Sequence, residues 1–105
     1  MELHTQEEFE TATRRGVALV EFNAPWFSHC RVPTAAMRRL ETKVGDKAAI
    51  AQLNVDENRD IALRLGIQSV PTLILFRGGK EIRRFIGLQE MKTLTQAIDD
   101  ALKDN

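Results

Sequence analysis

The chain has very few residues that could crosslink it, and no segment that could anchor it in a membrane. Cys30 is the only cysteine among 105 residues, which excludes an internal disulfide framework and is typical of a reducing compartment. No apolar run approaches the length that spans a bilayer. The opening stretch, MELHTQEEFETATRRG, is polar and acidic, unlike a secretory signal or a transit peptide. We therefore predict a cytoplasmic protein with no membrane partner.

The chain also lacks an excess of either charge. It has 15 basic and 15 acidic residues, and its arginine pairs at 14–15, 38–39 and 83–84 are scattered among acids. Nucleic-acid binders usually gather basic residues on one face, so we predict no nucleic-acid partner. His4 and His29 with one cysteine are too few ligands for a metal site, unless a dimer pools them. We predict no metal and no cofactor.

Hydrophobic residues make up 43% of the chain, which suffices for one ordinary core, so residues 1–105 are predicted to form a single domain. Thr5 followed by Glu8 is a capping box, which predicts a helix from Gln6 towards Arg14. The runs VALVEF, AAIAQLNV, TLILFR and KEIRRFI read as strands, and Gly78-Gly79 supplies a tight turn between the last two.

Helical periodicity accounts for most of the remaining sequence. Apolar residues recur every four positions over 32–44, DENRDIALRLG reads as a short helix with acids at its start and Gly66 at its end, and 91–102 is amphipathic. Strand-helix-strand units give parallel pairing with right-handed crossovers, while the glycine turn adds an antiparallel edge. The predicted fold class is α/β, with a central mixed β-sheet and helices on both faces.

Four segments resemble successive landmarks of the thioredoxin family: LVEFNAPWFSHCR, AQLNVDEN, LGIQSVPTLILFRGGK and FIGLQE. The resemblance covers essentially the whole chain and keeps the family's spacing, so it implies the thioredoxin fold. The family's active site is Trp-Cys-x-x-Cys at the start of the second helix. Aligned on Trp26, the sequence has Phe27 at the place of the attacking cysteine and Cys30 at the place of the resolving cysteine.

This departure changes the chemistry that the resemblance implies. In the family the first thiol attacks a substrate disulfide and the second releases the mixed disulfide. With Phe27 the first step has no attacking atom. If Cys30 attacks instead, no internal thiol can release the product. Cycling by the family's usual route is therefore excluded.

Four further departures surround the thiol. The family's buried Asp aligns with Glu21, and a Lys often found near it aligns with Gln52, so Glu21 is expected to have a pKa raised by burial. Its role is open between a proton relay and an acid retained without function. Asn23 replaces a tryptophan of the family. Pro33 follows Cys30 so closely that we expect it to bend or loosen the turn that carries the thiol.

The resemblance also extends to the family's substrate groove. Trp26, Val70, Pro71 and Gly87 align with groove positions, and Phe27 would add an apolar group at its centre. Pro71 aligns with the family's cis-proline, and a cis Val70–Pro71 bond would leave the Val70 backbone free to pair with an extended peptide. Protein or peptide substrates are the implied partners, and the protein is expected to be a monomer.

The sequence leaves the role of Cys30 open. It is either a reactive thiol, helped by the helix start and by His29, or a buried and inert side chain. Three functions follow: a monothiol protein that forms mixed disulfides with glutathione or proteins, a redox-inactive binding module or holdase that uses the Trp26, Phe27 and Pro71 groove, and a disulfide reductase whose nucleophile was replaced. We favour the first. Whether a reductase of the thioredoxin-reductase type serves it is left open.

Overall fold

A computed structural model describes residues 1–24 and 31–103, without the side chains of residues 31–34. The described residues form a five-stranded sheet and four α-helices. In chain order these are β1 (Glu2–Leu3), α1 (Gln6–Arg14), β2 (Val17–Asn23), α2 (Arg31–Val44), β3 (Ala48–Asn54), α3 (Arg59–Leu65), β4 (Thr72–Arg77), β5 (Lys80–Ile86) and α4 (Met91–Lys103), with a 3-10 turn at Gly45–Lys47 between α2 and β3. The predicted α/β class is confirmed.

The strand order in the sheet is β1-β3-β2-β4-β5. The pairs β1–β3 and β2–β3 are parallel, while β2–β4 and β4–β5 are antiparallel, so the sheet is mixed as predicted. Gly78 and Gly79 both have positive φ in the β4–β5 turn, which few other residues adopt at low cost. None of the described helices is long and apolar enough to cross a membrane.

Alternation along β2 divides the core into two layers. Val17 and Leu19 face one layer with α2 and α4, whereas Ala18, Val20 and Phe22 face the other with α1 and α3. The side chains of both layers are buried, so helices cover both faces of the sheet as predicted. Glu21 falls on the α2/α4 side of this alternation, where the rest of the strand places apolar side chains.

The capping box at the start of α1 is confirmed. The Thr5 hydroxyl accepts the Glu8 backbone N–H at 3.1 Å, and the Glu8 carboxylate accepts the Thr5 N–H at 3.1 Å. The Gly66 end of α3 is also confirmed. Gly66 has φ 69° and its N–H donates to Leu63, while Ile67 N–H donates to Ala62, which is the Schellman arrangement.

One strand was missed and one predicted boundary was wrong. The sequence pattern missed β1, because two residues are too short to show alternation; it pairs with β3 and buries Leu3. The pattern also began α3 too early. Asp56 N–H donates to the Asn54 side-chain oxygen at 2.8 Å, so Asp56 lies in a turn ahead of the helix rather than in its first turn.

Candidate functional site

The two elements that lead into the aligned active-site segment are well defined. β2 ends at Asn23, and α2 is described from Arg31. The predicted residues Trp26, Phe27, His29 and Cys30 lie between them, outside the described residues. Pro33 lies within α2, and the predicted bend in the turn that carries Cys30 also lies outside the described residues.

Glu21 is a fully buried acid at the centre of the sheet, with 0% exposure. Its Oε1 accepts a hydrogen bond from the Asn23 side-chain amide at 3.1 Å and another from the Gln52 side-chain amide at 3.0 Å. Asn23 is two residues along the same strand, and Gln52 is the register partner of Glu21 on β3. Oε2 is buried and has no hydrogen-bond partner among the described residues.

Burial raises the pKa of the Glu21 carboxyl, and the hydrogen bonds from Asn23 and Gln52 offset part of that rise. The direction predicted from the sequence is confirmed. Burial is the physical cause, and the two amides offset only part of it because a neutral amide stabilises a carboxylate less than an ammonium group would. The Glu21 carboxyl therefore holds its proton more tightly than an exposed glutamate does.

A small cavity of about 90 Å³ lies against Glu21 on the α2/α4 side of the sheet. Its other described lining residues come from α2, β4, α4 and the loop before α4, and they are Ala36, Met37, Leu73, Leu88, Gln89 and Leu94. Most of these side chains are apolar. Glu21 is the one titratable group among the described lining residues.

The part of the candidate peptide groove that surrounds Pro71 lies within the described residues. The Val70–Pro71 peptide bond is cis, which confirms that prediction. Gly87 N–H donates to the Pro71 carbonyl at 2.8 Å, so the start of β4 and the end of β5 bring two of the predicted groove residues together. The Ser69 carbonyl accepts the Thr72 hydroxyl at 2.7 Å, which fixes the chain on the other side of Val70.

An open groove of about 460 Å³ continues from Val70 along α3. Its lining is mainly apolar and includes Val55, Ala62, Leu63 and Ile67. Leu63 is 79% exposed, although it belongs to a helix whose other face is buried through Ile61. The sequence pattern did not predict this groove, and its one signal is a leucine, Leu63, on the polar side of a short amphipathic helix.

Arg84 on β5 ties the end of α3 to the sheet. Its guanidinium donates to the Leu65 carbonyl at 2.7 Å, to the Gly66 carbonyl at 3.4 Å and to the Glu81 carboxylate at 2.8 and 2.9 Å. These carbonyls lie at the helix C-terminus, where a cation is favourable. Arg84 therefore holds the end of α3, from which the chain runs to Val70.

Comparison with known proteins gives a consistent result. The thioredoxin family model matches residues 1–100. The thioredoxin of Bacillus subtilis is 31% identical over 98 residues, covering 93% of this chain and 94% of that protein. The thioredoxin of Alicyclobacillus acidocaldarius is 39% identical over 85 residues, covering 81% of each.

Solved structures agree with the sequence relatives. A mutant thioredoxin from Halobacterium salinarum superposes with a TM-score of 0.90 at 30% identity, covering 97% of this chain and 89% of that one. The Malassezia sympodialis thioredoxin superposes with a TM-score of 0.83 at 27% identity, covering 96% and 89%. With the mixed sheet, the cis Val70–Pro71 bond and the buried acid on β2, these matches lead to one conclusion: the chain belongs to the thioredoxin family of thiol-disulfide oxidoreductases.

Proposed function

We propose that this protein is a monothiol member of its family, in which Cys30 forms mixed disulfides with protein or glutathione partners. The observation that carries the proposal is that a thioredoxin-family chain has one thiol, Cys30, directly before α2, and Phe27 at the position aligned with the attacking cysteine. A thiol at a helix N-terminus is favoured as thiolate, because the positive end of the helix stabilises the charge.

The proposed step balances as a single thiol-disulfide exchange. The Cys30 thiolate attacks one sulfur of a partner disulfide, forms a new disulfide with that sulfur and expels the other sulfur as thiolate. One disulfide bond forms as another breaks, so the exchange involves no net oxidation and requires no outside oxidant. Release of the partner then requires a second thiol from outside the chain, such as glutathione, because Cys30 is the only cysteine.

Glu21 is assigned the proton relay in this proposal. Burial raises the pKa of Glu21, so this acid holds a proton more tightly than an exposed glutamate, which suits it to deliver a proton to an expelled thiolate. Its support is positional as well, because β2 runs from Glu21 to the segment that contains Cys30.

Trp26, Val70, Pro71 and Gly87 are assigned the binding of an extended peptide. The hydrogen bonds from Gly87 N–H to the Pro71 carbonyl and from the Thr72 hydroxyl to the Ser69 carbonyl support this assignment, since they fix the backbone on either side of Val70. The Val70 backbone would then pair with the peptide main chain. Protein and peptide substrates are therefore the proposed partners, and the reductase that would serve them is left open.

The alkylation rate of Cys30 against pH, in folded and in denatured protein, tests the monothiol proposal. We expect the folded protein to react faster near neutral pH and to gain one glutathione in mass when it is treated with oxidised glutathione. Cys30→Ala is the control variant, which should neither be alkylated at this position nor gain glutathione. Strong protection in the folded state would overturn the proposal.

Phe27→Cys is a matched variant for the same assay, because it restores the family's Cys-x-x-Cys spacing. We expect this variant to reduce a protein disulfide over repeated cycles, which the unchanged chain cannot do alone. Turnover by Phe27→Cys together with an unreactive Cys30 in the unchanged chain would favour the third reading, a reductase whose nucleophile was replaced.

The groove along α3 favours a second candidate, a binding module or holdase that needs no redox step. Its specific observation is the exposed Leu63 beside Val55, Ile67 and Val70. We expect Leu63→Asp to weaken suppression of citrate synthase aggregation by roughly 10- to 100-fold, because burying one leucine side chain contributes roughly 1.5–3 kcal/mol. The signal is light scattering during dilution of the client from denaturant.

Two controls separate this candidate from the monothiol protein. Ile82→Asp alters a residue that is 46% exposed on β5 and should leave the suppression unchanged. Cys30→Ala should also leave it unchanged if binding needs no thiol. Equal suppression by Leu63→Asp and the unchanged chain would rule out this groove as the client site.

Three broader assignments complete the proposal: residues 1–105 act as one domain, the protein is a monomer, and it works in the cytoplasm. Their support is the single cysteine, the balanced charge and the family match over residues 1–100. Light scattering of the purified protein measures the oligomeric state, and a tagged chain reports its compartment.

A further inference from the structure

We propose that Arg84 is a positioning residue for peptide binding, which acts from the edge strand β5 on the segment of residues 66–70 that forms one wall of the groove along α3. The effect on affinity rests on the proposed peptide-binding function. The effect on the segment itself is measured without a ligand, so the two can fail separately. Arg84 is not among the described residues that line the groove, so it acts through the residues that do.

The wall of the groove at Val70 is a segment without regular secondary structure. Residues 66–71 follow α3 and precede β4, and they belong to neither a helix nor a strand. The groove of about 460 Å³ is lined from this segment by Ile67, Gln68, Ser69 and Val70. A segment outside helices and sheets has no ladder of backbone hydrogen bonds, so its position depends on the individual contacts that hold it.

β5 holds this segment at both ends. At the start, the Arg84 guanidinium donates to the Leu65 carbonyl at 2.7 Å and to the Gly66 carbonyl at 3.4 Å. At the end, the N–H of Gly87, directly after β5, donates to the Pro71 carbonyl at 2.8 Å. Arg84 and Gly87 are close in sequence, so one short stretch of backbone sets the distance between the two ends of the segment.

The Arg84 side chain is itself fixed, as a positioning residue must be. Its Nε and Nη2 donate to the two carboxylate oxygens of Glu81 at 2.9 and 2.8 Å, which is a bidentate arrangement. With this fork formed, Nη2 also donates to the Leu65 carbonyl and Nη1 to the Gly66 carbonyl. An ammonium group could reach one of these carbonyls but could not keep the fork with Glu81.

Arg83, the neighbour of Arg84, is an arginine of the same strand that does not hold the segment. Its guanidinium lies 4.8 Å from the centre of the Phe85 ring, and Phe85 belongs to the core with α2 and α4, on the opposite face of the sheet from α3. Arg83→Ala therefore removes a surface arginine from β5 and leaves the contacts of the segment in place. This variant is the matched control for a merely stabilising role.

The first measurement is the nuclear magnetic resonance order parameter of the backbone amides of residues 67–70, in the full chain without a ligand. We expect values of about 0.85, typical of rigid backbone, in the unchanged chain and in Arg83→Ala, and a fall towards about 0.6 in Arg84→Ala. A segment equally ordered in Arg84→Ala and in the unchanged chain would overturn the positioning role, whatever the variant does to global stability.

The second measurement is the affinity for reduced and carboxymethylated α-lactalbumin, an unfolded chain that has no thiol to exchange. We expect Arg84→Ala to raise the Kd about tenfold, which follows if the binding-competent position of the segment falls to about a tenth of the population. Arg84→Lys should recover part of the loss, and Arg83→Ala should bind like the unchanged chain. An unchanged Kd in folded Arg84→Ala would show a merely structural arginine and contradict the proposal.

A double-mutant cycle with Leu63→Asp locates the effect. Leu63 lines the groove, so Arg84→Ala should cost little further affinity once Leu63→Asp is present, because both changes act on one site. Losses that simply multiply would place the effect of Arg84 outside the groove and overturn the assignment.

Two further outcomes are decisive. If the unchanged chain does not bind the probe, the groove fails as a binding site and the effect on affinity fails with it, while the order parameters still decide whether Arg84 positions the segment. If Arg84→Ala does not fold, Glu81→Gln takes its place, because it weakens the fork that fixes the guanidinium. We expect this variant to lower the order parameters and the affinity in the same direction by a smaller amount, and no change in either would count against the proposal.

Discussion

At the scale of single residues, the main feature of the molecule is an acid placed where its strand otherwise buries apolar side chains. Val17 and Leu19 precede Glu21 on the same face of β2 and belong to the core with α2 and α4. From the sequence, only the family resemblance indicated that Gln52 lies near this acid. It did not show that Asn23 and Gln52 converge on one oxygen, because that depends on the β2–β3 register.

The raised pKa of Glu21 makes stability depend on pH in a defined direction. Its folded pKa lies above its unfolded pKa, so the folded state binds the proton more tightly. The associated stability is complete below the unfolded pKa of about 4.3 and is lost as pH rises through the folded pKa. Each unit of difference corresponds to about 1.4 kcal/mol.

We therefore expect Glu21→Gln to flatten the dependence of unfolding free energy on pH. Glutamine resembles the protonated acid, since its carbonyl can accept from Asn23 and Gln52 without a charge. The variant should be more stable than the unchanged chain at alkaline pH. Urea unfolding between pH 4 and 9 measures this, with the exposed Glu90→Gln as control. Parallel profiles for Glu21→Gln and the unchanged chain would contradict the expectation.

At the scale of elements, the short helix α3 is fixed at its C-terminal end as well as by the buried Ile61. It has seven residues, too few to be stable alone, and it ends in the Gly66 motif and the guanidinium of Arg84. The glycine was evident from the sequence. The contribution of Arg84 was not, because it lies 18 residues from Gly66 and reaches it across the sheet edge.

We expect Arg84→Ala to lower the free energy of unfolding by roughly 1.5–3 kcal/mol, because it removes charged hydrogen bonds to the Leu65 carbonyl and to Glu81. Arg84→Lys should recover only part of this loss, since an ammonium group cannot reproduce the planar fork. Denaturant unfolding measures both variants.

Arg83→Ala is the matched control on the same strand. Its guanidinium lies 4.8 Å from the centre of the Phe85 ring, a contact that contributes about 0.5–1 kcal/mol at an exposed site. Equal losses for Arg84→Ala and Arg83→Ala would show that the helix-end contacts of Arg84 add nothing beyond a surface arginine.

At the scale of the whole molecule, the sheet brings its functional parts together from distant segments. β2 and β4 are neighbours at the centre of the sheet. The buried acid on β2 therefore lies beside the start of β4, the strand that follows the cis-proline. Leu73, two residues after Pro71, is the register partner of Glu21. The same two strands thus position the acid, the cavity and the candidate groove.

The sequence alone determined the order of the major elements, because each carries a local signal, such as the Thr5 capping box, the apolar run of β2, the Gly66 stop and the Gly78-Gly79 turn. It could not determine the two-residue β1, which exists only through its pairing with β3. The shared acceptor of Asn23 and Gln52, the unpartnered Oε2 and the groove beside Leu63 were also decided by the tertiary structure. Each depends on which side chains the sheet register and the helix packing bring into contact, and no local pattern contains that information.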